Sequence, residues 1–342
     1  MKHTRNRLLA LALALTMTLS TLATGALAVQ QTDQAASTAV TTMAVKTSGK
    51  CGKNVKWSYD KKTKTVTISG KGAMANYGGM NTYAPPWSDL DVRKAVIKKG
   101  VTTIGDKAFA HCENLQSVTI PEGVTSLGIE IFFDSSTKLG TITLPKSLKM
   151  VNRATFYGAY VSGYKVASGN KYFSASKGVL FNKKKTSLVA YPFRSKATSY
   201  TIPKSVKSIE PYAFSTEAMG ICKLKKIIVP TSVTSVKNDA FCSLYHCKVY
   251  FKGKAPKNLY KGLGKYASIT IYYVKKYQSG YKAVKKAVDK DGEEQPVQRA
   301  GSIFQDLEGV SSPCLISITD NKEAGQSLCA LTSFFRIMGT VI

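Results

Sequence analysis

The segment LQSVTIPEGVTSLGIEIF, residues 115–132, contains a pattern that the chain repeats. Its last thirteen residues have four counterparts that share the aliphatic positions and the terminal Phe: IKKGVTTIGDKAF (97–109), LPKSLKMVNRATF (144–156), IPKSVKSIEPYAF (202–214) and VPTSVTSVKNDAF (229–241). The terminal Phe residues are spaced by 23, 24, 58 and 27 positions. Spacing of this size indicates a stack of similar coils, one of which carries an insertion.

A second repeated element precedes each copy. Its apolar residues tend to occupy the first, fourth and sixth positions, as in VRKAVI (92–97), LQSVTI (115–120), LGTITL (139–144), ATSYTI (197–202) and LKKIIV (224–229). The alternation at its end predicts a strand with one buried face, and the Pro that follows four of these five segments ends that strand. A coil of this length cannot bury its own aliphatic side chains, so neighbouring coils must share a core. The sequence therefore predicts a solenoid.

The combined pattern, L-x-x-V-x-I-P-x-x-V-x-x-I-x-x-x-A-F, resembles the BspA-type leucine-rich repeats of bacterial surface proteins. The resemblance implies a β-rich leucine-rich-repeat solenoid, a curved superhelix of parallel strands with loops and short 3₁₀ turns, closed by a β-hairpin N-cap and a small C-terminal helix cap. It also implies a secreted or surface-attached protein used for binding or adhesion. Ile131 and Thr155 depart from the family's usual Ala before Phe, so we expect less regular packing in those two coils.

Two sets of residues follow from this register. The repeat core is predicted to contain the terminal Phe and one aliphatic residue of each coil: Phe109, Phe132, Phe156, Phe214, Phe241, Ile104, Leu127, Val151, Ile209 and Val236. The outward strand positions should line the concave face, which makes a candidate binding face of Ser117, Thr119, Thr141, Thr143, Ser199, Thr201, Lys226 and Ile228. A row of hydroxyls has a second explanation, because Thr is a good strand residue and cross-strand Thr pairs stabilise a sheet.

The long interval between Phe156 and Phe214 holds the insertion, at about 164–192. Two apolar runs, 179–181 and 188–191, flank the polar turn 182–187, which predicts a β-hairpin inside an elongated coil. Such a hairpin either spaces the coils or projects into a binding face.

The N-terminus has the pattern of a secretory signal peptide. A positive start is followed by an apolar stretch, Leu8 to Leu22, and by the small-x-small site Ala26-Leu27-Ala28. A retained membrane anchor is the alternative. We expect a signal peptide at 1–28, a flexible linker at 29–49, an N-terminal β-hairpin capping module at 50–90 and the BspA-type repeats at 91–250.

The C-terminal part is divided in the same way. Residues 251–290 are predicted to form capping strands and a basic amphipathic helix with Tyr277, Tyr281, Val284 and Val288 on one face. This helix either caps the solenoid or touches a membrane surface. Residues 291–342 show no repeat and are expected to be an atypical tail, disordered or weakly packed. An ordered extension and an aberrant reading-frame tail are the alternatives, and we expect no compact packing against the solenoid.

Charge and cysteine content restrict the partners. Residues 46–290 carry 43 basic and 12 acidic residues, a formal charge of +31, but the whole chain has 42 Lys and only 7 Arg. Because Arg is the usual residue for bidentate base recognition, specific DNA recognition is not expected. The 7 Cys match no zinc or redox spacing, and buried single thiols are favoured over disulfides in a chain with a sizeable core.

Catalytic and cofactor motifs are not evident. The pairs His111-Cys112 and His246-Cys247 stand at different distances from their coil Phe, so a zinc site is disfavoured and no metal or cofactor is expected. We predict a non-catalytic protein, secreted or at the bacterial cell surface, that acts as a protein-binding or adhesion scaffold for a host matrix or other surface protein. The alternative is an electrostatic polyanion binder for an anionic cell-wall polymer, an acidic glycan or extracellular nucleic acid.

Overall fold

The computed structural model describes residues 45–79, 84–135, 138–215, 222–264, 267–294, 303–307 and 313–314. The expected signal peptide and residues 29–44 of the expected linker lie outside the described residues. The described chain forms a parallel-strand β-solenoid of about seven turns with a small C-terminal helix. The solenoid predicted from the repeats is therefore confirmed.

The regular elements are short. In chain order the strands are β1 (Ser48–Lys50), β2 (Val55–Asp60), β3 (Thr65–Gly70), β4 (Gly72–Ala73), β5 (Lys94–Ile97), β6 (Val101–Ile104), β7 (Ser117–Thr119), β8 (Ser126–Leu127), β9 (Thr141–Leu144), β10 (Met150–Val151), β11 (Gly163–Val166), β12 (Phe173–Ser176), β13 (Val179–Asn182), β14 (Ser187–Ala190), β15 (Ser199–Thr201), β16 (Ser208–Ile209), β17 (Lys226–Val229), β18 (Ser235–Val236), β19 (Tyr245–Phe251), β20 (Ser268–Val274), β21 (Ile303–Leu307) and β22 (Pro313–Cys314). The helices are α1 (Leu259–Leu263), a 3₁₀ turn (Lys275–Tyr277) and α2 (Gln278–Glu294).

Most coils contribute one strand to each of two sides of the solenoid, which we call side A and side B. Side A contains β3, β5, β7, β9 and β11 in a first stack, and β15, β17, β19 and β20 in a second stack. Side B contains β4, β6, β8 and β10 in the first stack, and β14, β16 and β18 in the second. The pairs within each stack are parallel, as expected when consecutive coils wind in one direction.

The Pro after a side A strand turns the chain toward side B. The amide N–H of Val124 donates to the carbonyl oxygen of Pro121, with an N···O distance of 3.4 Å. The same bond across three residues recurs in the next coils, joining Leu148 to Pro145, Val206 to Pro203 and Val233 to Pro230. Pro has no N–H for a strand ladder and its fixed φ suits a turn, so its position sets the corner of the coil.

Stacked Phe rings fill the interior at equivalent points of successive coils. The rings of Phe109 and Phe132 have centroids 6.0 Å apart and planes 16° apart, and those of Phe214 and Phe241 are 5.6 Å and 13° apart. All five predicted Phe residues are buried, as are the aliphatic partners except Val151, which is half-buried and packs against the core. Burial of a side chain of this size contributes about 1.5–3 kcal/mol.

The insertion separates two hydrophobic cores and belongs to both. β12, β13 and β14 form an antiparallel unit, so the hairpin predicted between the two apolar runs is present, with β12 as an additional strand. Successive residues of β13 face opposite cores: Leu180 packs in the first core, whereas Val179 and Phe181 pack in the second. The hairpin is thus a shared wall rather than a projection, and only its turn, Lys183–Lys185, is fully exposed.

Both ends of the solenoid are covered. At the N-terminal end β2 pairs antiparallel with β3, and the buried Trp87 ring packs edge-on to Trp57 while its Nε1–H donates to the carbonyl oxygen of Ala108 at 3.0 Å. At the other end Tyr281 of α2 is buried and its hydroxyl donates to the carbonyl oxygen of Gly253 at 3.0 Å. The helix therefore covers the second core with one face, while Lys282 and Lys286 remain exposed.

Two segments differ from the sequence-based expectation. Ser48 and Gly49, at the end of the expected flexible linker, belong to β1, which pairs antiparallel with β2. We expected residues 291–342 not to pack on the solenoid, whereas β21 pairs in parallel with β20 and β22 pairs with β21. Both segments add backbone hydrogen bonds at an edge strand, a contact that needs no repeat pattern and so leaves none in the sequence. The rest of that tail lies outside the described residues, apart from the end of α2.

Candidate functional site

The candidate binding face predicted from the repeats lies on side A and points outward. Seven of its eight residues are exposed and Ile228 is half-buried. The alternation that buries Ile142 and Leu144 of β9 forces Thr141 and Thr143 to the opposite face of the strand. Side A therefore presents an outer surface whose chemistry is independent of the core.

Strand register arranges these outward side chains in two rows. In the first stack Thr65, Lys94 and Ser117 lie opposite one another in one row, and Thr67, Val96 and Thr119 in the other. Thr141 and Thr143 continue the rows on β9, which is joined to the preceding coil by a bond from the Gly140 N–H to the Gln116 carbonyl oxygen at 2.9 Å. The first stack thus carries a mixed surface of hydroxyls with a few Lys and Val side chains.

The predicted hydroxyl ladder is not continuous between the two stacks. β11 pairs with β9 and places Gly163 beside Thr141 and Lys165 beside Thr143. Ser199 and Thr201 belong to the second stack, where they lie opposite Lys226 and Ile228. The structure therefore brings the eight candidate residues together as two groups of four, because the insertion interrupts the winding after β11.

The second stack adds residues that the sequence pattern did not single out. Lys226 lies opposite Lys248, and Ile228 lies opposite Tyr250. On the next strand Tyr272 lies opposite Tyr250, and the two rings stack with centroids 4.4 Å apart and planes 7° apart. The sequence predicts capping strands in residues 251–290, but the register of β19 and β20 with β17 was needed to reveal this group.

The two His-Cys pairs do not form a common site. Cys112 is buried, whereas the neighbouring His111 lies on the turn and its Nδ1 is 3.2 Å from a carboxylate oxygen of Asp134. Likewise Cys247 is buried and His246 is exposed. In both pairs the Cys side chain lies in the interior and the His side chain is nearer the surface, so each His is separated from its Cys. In the part of the chain that the structure describes, no group of three or more His, Cys, Asp or Glu residues could hold a metal ion.

Four of the described cysteines carry free thiols. They are Cys51, Cys112, Cys222 and Cys247, and all but the half-buried Cys222 are buried. Burial raises the pKa of the Cys51 thiol to about 11 and that of Cys112 to about 12. A neutral, shielded thiol is a poor nucleophile and a poor metal ligand.

Several carboxylates bind backbone rather than a potential substrate. Glu122 accepts hydrogen bonds from the N–H groups of Lys146 (2.7 Å) and Ser147 (3.0 Å) in the next coil, and these bonds lower its pKa. Asp106 accepts from the N–H of Ile129 at 2.7 Å in the same coil-to-coil manner. These acids tie one turn to the next, so they have a structural role.

The described geometry defines a repeat solenoid with an outward binding surface on parallel strands. A model of the BspA type leucine rich repeat region matches in six copies, over residues 87–182 and 186–261. The chain belongs to this family of bacterial leucine-rich-repeat proteins, which are generally non-catalytic scaffolds. Within the described residues, no helix combines the length and apolar character needed to cross a membrane.

Solved structures with similarity to the chain include three bacterial repeat proteins. A leucine-rich repeat protein from Eubacterium ventriosum is 23% identical, with 66% of this chain and 78% of that one covered and a TM-score of 0.38. The pneumococcal vaccine antigen PcpA is 16% identical, with coverages of 68% and 95% and a TM-score of 0.30. A leucine rich cell surface protein from Faecalibacterium prausnitzii is 16% identical, with coverages of 68% and 96% and a TM-score of 0.29. No curated protein shows a significant match.

Proposed function

We propose that this chain is a secreted or cell-surface scaffold that binds a protein partner through the outward rows of side A. The observation that supports this most directly is the register of exposed Ser, Thr and Lys side chains across successive parallel strands. Such a surface is extended and rigid, because every strand is fixed by its neighbours and by the core beneath. A solenoid uses this kind of surface to bind extended partners.

The partner class is a host matrix or other surface protein, consistent with the family and with the signal-peptide pattern at residues 1–28. Shape-complementary protein interfaces bury a central patch and depend only modestly on salt. Binding to one purified matrix or surface protein should therefore persist when the ionic strength is raised.

The test compares two triple variants of the chain. Thr119→Glu, Thr143→Glu and Thr201→Glu place charges on side A, whereas Thr102→Glu, Met150→Glu and Thr234→Glu place them at exposed positions on or beside side B. We expect surface plasmon resonance against a panel of purified matrix proteins to show partner binding that only the side A variant loses. Equal binding by both variants and the parent chain would refute side A as the binding surface.

A second candidate function is supported by the distribution of lysines. Most described lysines are exposed, including three in succession at the hairpin turn, Lys183, Lys184 and Lys185. Charge of this kind attracts polyanions, and the association weakens steeply with salt. Binding to isolated cell-wall polymer that is lost at high salt, and that both triple variants reduce equally, would favour this function.

A further inference from the structure

One part of side A carries a charge arrangement that the rest of the face lacks. In the second stack Lys226 and Lys248 lie directly opposite each other on β17 and β19, and both are exposed. Like charges opposite one another on neighbouring strands destabilise a sheet. The four side A strands of this stack contain no Asp or Glu, so these strands offer no carboxylate to offset the repulsion.

An apolar row runs beside this basic row. It contains Ile228, Tyr250 and Tyr272, which are opposite one another on three successive strands. Ile228 and Tyr250 are half-buried, whereas Tyr272 is buried. The Lys226 ammonium lies 4.9 Å from the centroid of the Tyr250 ring, and Tyr272 stacks on that ring from the next strand. Since β17 and β20 flank β19 on opposite sides, both faces of the Tyr250 ring are covered. We call these five residues the Tyr–Lys corner: Lys226, Ile228, Lys248, Tyr250 and Tyr272.

The covered ring faces narrow the class of ligand. Sugars and nucleobases bind aromatic platforms by lying on the open face of a ring, and Tyr250 has no open face. The Tyr250 side chain is half-buried, so part of its ring edge reaches the outer surface, while its hydroxyl has Tyr272 as a hydrogen-bond partner. An apolar side chain of a partner protein can pack against such a ring edge.

The spacing of the rows matches an α-helix. Neighbouring strands are about 4.8 Å apart, and one helical turn rises about 5.4 Å. A helix lying across the strands would therefore advance about one turn per strand. The apolar and basic rows are two residues apart along each strand, about 7 Å, which is the separation of adjacent stripes on a helix surface. About ten helical residues would span the four strands of the stack.

We infer that the Tyr–Lys corner docks an acidic amphipathic helix of the partner protein. Carboxylates at successive turns of this helix pair with Lys226 and Lys248, and an adjacent apolar stripe covers Ile228 and the edge of Tyr250. The inference rests on the proposed function and adds the chemistry of the partner segment. Binding relieves the repulsion between Lys226 and Lys248, so the binding free energy is most favourable when the helix carboxylates lie between the two ammonium groups.

Synthetic peptides provide the test with the full chain. The probe is a fluorescent 18-residue helical peptide with a Leu stripe beside a Glu stripe, and the matched peptides carry Gln in place of Glu or Ser in place of Leu. Fluorescence anisotropy should show that the Leu–Glu peptide binds about ten-fold more tightly than either matched peptide, as expected for two ion pairs and a small apolar contact. Binding by the Gln peptide with equal affinity would overturn the inference.

Variants locate the site. Lys226→Glu with Lys248→Glu should weaken peptide binding about ten-fold, and Ile228→Ser should weaken it independently of salt. The control double variant, Lys94→Glu with Lys165→Glu, alters the net charge by the same amount at exposed positions of the first stack and should leave peptide binding unchanged. An unaltered melting temperature in each variant establishes that the fold is retained. Equal loss in both Lys pairs, or competition by dextran sulfate that exceeds competition by the Leu–Glu peptide, would assign the corner to a polyanion instead.

The outcomes also separate this inference from the scaffold proposal. One outcome would refute the acidic helix but not the scaffold. In it, the side A triple variant loses its matrix partner, the Lys226 and Lys248 double variant keeps that partner, and the Leu–Glu peptide does not bind. If no side A variant alters partner binding, the scaffold proposal itself fails.

Discussion

Replacing the buried Asn170 by Ala should destabilise the solenoid strongly. The side chain is 1% exposed and lies between the first stack and the hairpin. Its Nδ2 group donates to the carbonyl oxygens of Pro145 (2.8 Å) and Leu148 (2.9 Å) in the preceding coil. Its Oδ1 accepts from the N–H groups of Tyr172 and Phe173, both at 2.8 Å, where β12 begins.

The magnitude follows from these four bonds. A hydrogen bond in a folded protein contributes about 1 kcal/mol net, and a buried group left without its partner costs about 1–3 kcal/mol. Ala removes all four bonds and leaves two carbonyl oxygens and two N–H groups without this partner. Because some of them will be reached by water, we expect a loss of about 3–5 kcal/mol.

Urea unfolding followed by tryptophan fluorescence measures this loss. The only 2 Trp residues of the chain, Trp57 and Trp87, are buried in the first core, so the signal reports the stack that Asn170 supports. With a urea dependence of about 3 kcal/mol per molar, the midpoint should fall by about 1–1.7 M. Asn182→Ala is the matched control, since Asn182 bonds Thr186 and Ser187 at a half-exposed turn and should cost about 1 kcal/mol. Equal shifts in the two variants would refute the reasoning.

Three other predictions concern protonation, packing and a single buried hydroxyl. Burial raises the pKa of Cys112 from 9.0 to about 12, so between these pH values the folded chain keeps the thiol proton while the unfolded chain loses it. The free energy of unfolding is therefore unaffected by this group below pH 9.0 and falls above it by roughly 1.4 kcal/mol per pH unit. Cys112→Ala should reduce this slope in urea titrations at alkaline pH. Gly105→Ala should lower the stability measured by thermal unfolding by about 3 kcal/mol, because the added Cβ would lie 1.9 Å from the carbonyl oxygen of Ala75. The control Gly140→Ala, whose added Cβ would have its nearest atom at 3.2 Å, should lower it far less. Similar melting temperatures in the two variants would contradict this. Thr155→Val should lower the free energy of unfolding by about 1 kcal/mol, because it removes the hydrogen bond from Oγ1 to the Gly128 carbonyl oxygen at 2.8 Å. An unchanged urea midpoint would show that this hydrogen bond contributes no net stability.

The features that the sequence predicted are those determined within one coil. Pro121 and its counterparts mark the corners, the alternation in segments such as 115–120 separates inward from outward residues, and the terminal Phe places a ring in the core. Each of these depends on neighbours a few residues away, so the pattern is visible in every copy. The hairpin at 179–191 was predictable for the same reason, because its two strands are adjacent in the chain.

Features that depend on pairing between coils were not predictable. β11 and β1 lack the Pro and the apolar spacing of the repeat, and each pairs with the backbone of a neighbouring edge strand. The Tyr–Lys corner required the register of β17, β19 and β20, and the lengths of the coils between them vary. The same holds for Asn170, whose four partners lie in two different coils.

The shared wall formed by the hairpin has a mechanical consequence. If the chain is pulled along the stack, parallel coils can detach one at a time from an end, and each coil of 23 to 27 residues releases about 80–90 Å of chain. The hairpin cannot detach in this way, because Leu180 is held by one core and Phe181 by the other. A force-extension trace should therefore show small regular steps followed by one higher rupture, so the insertion would limit how far a tethered molecule stretches.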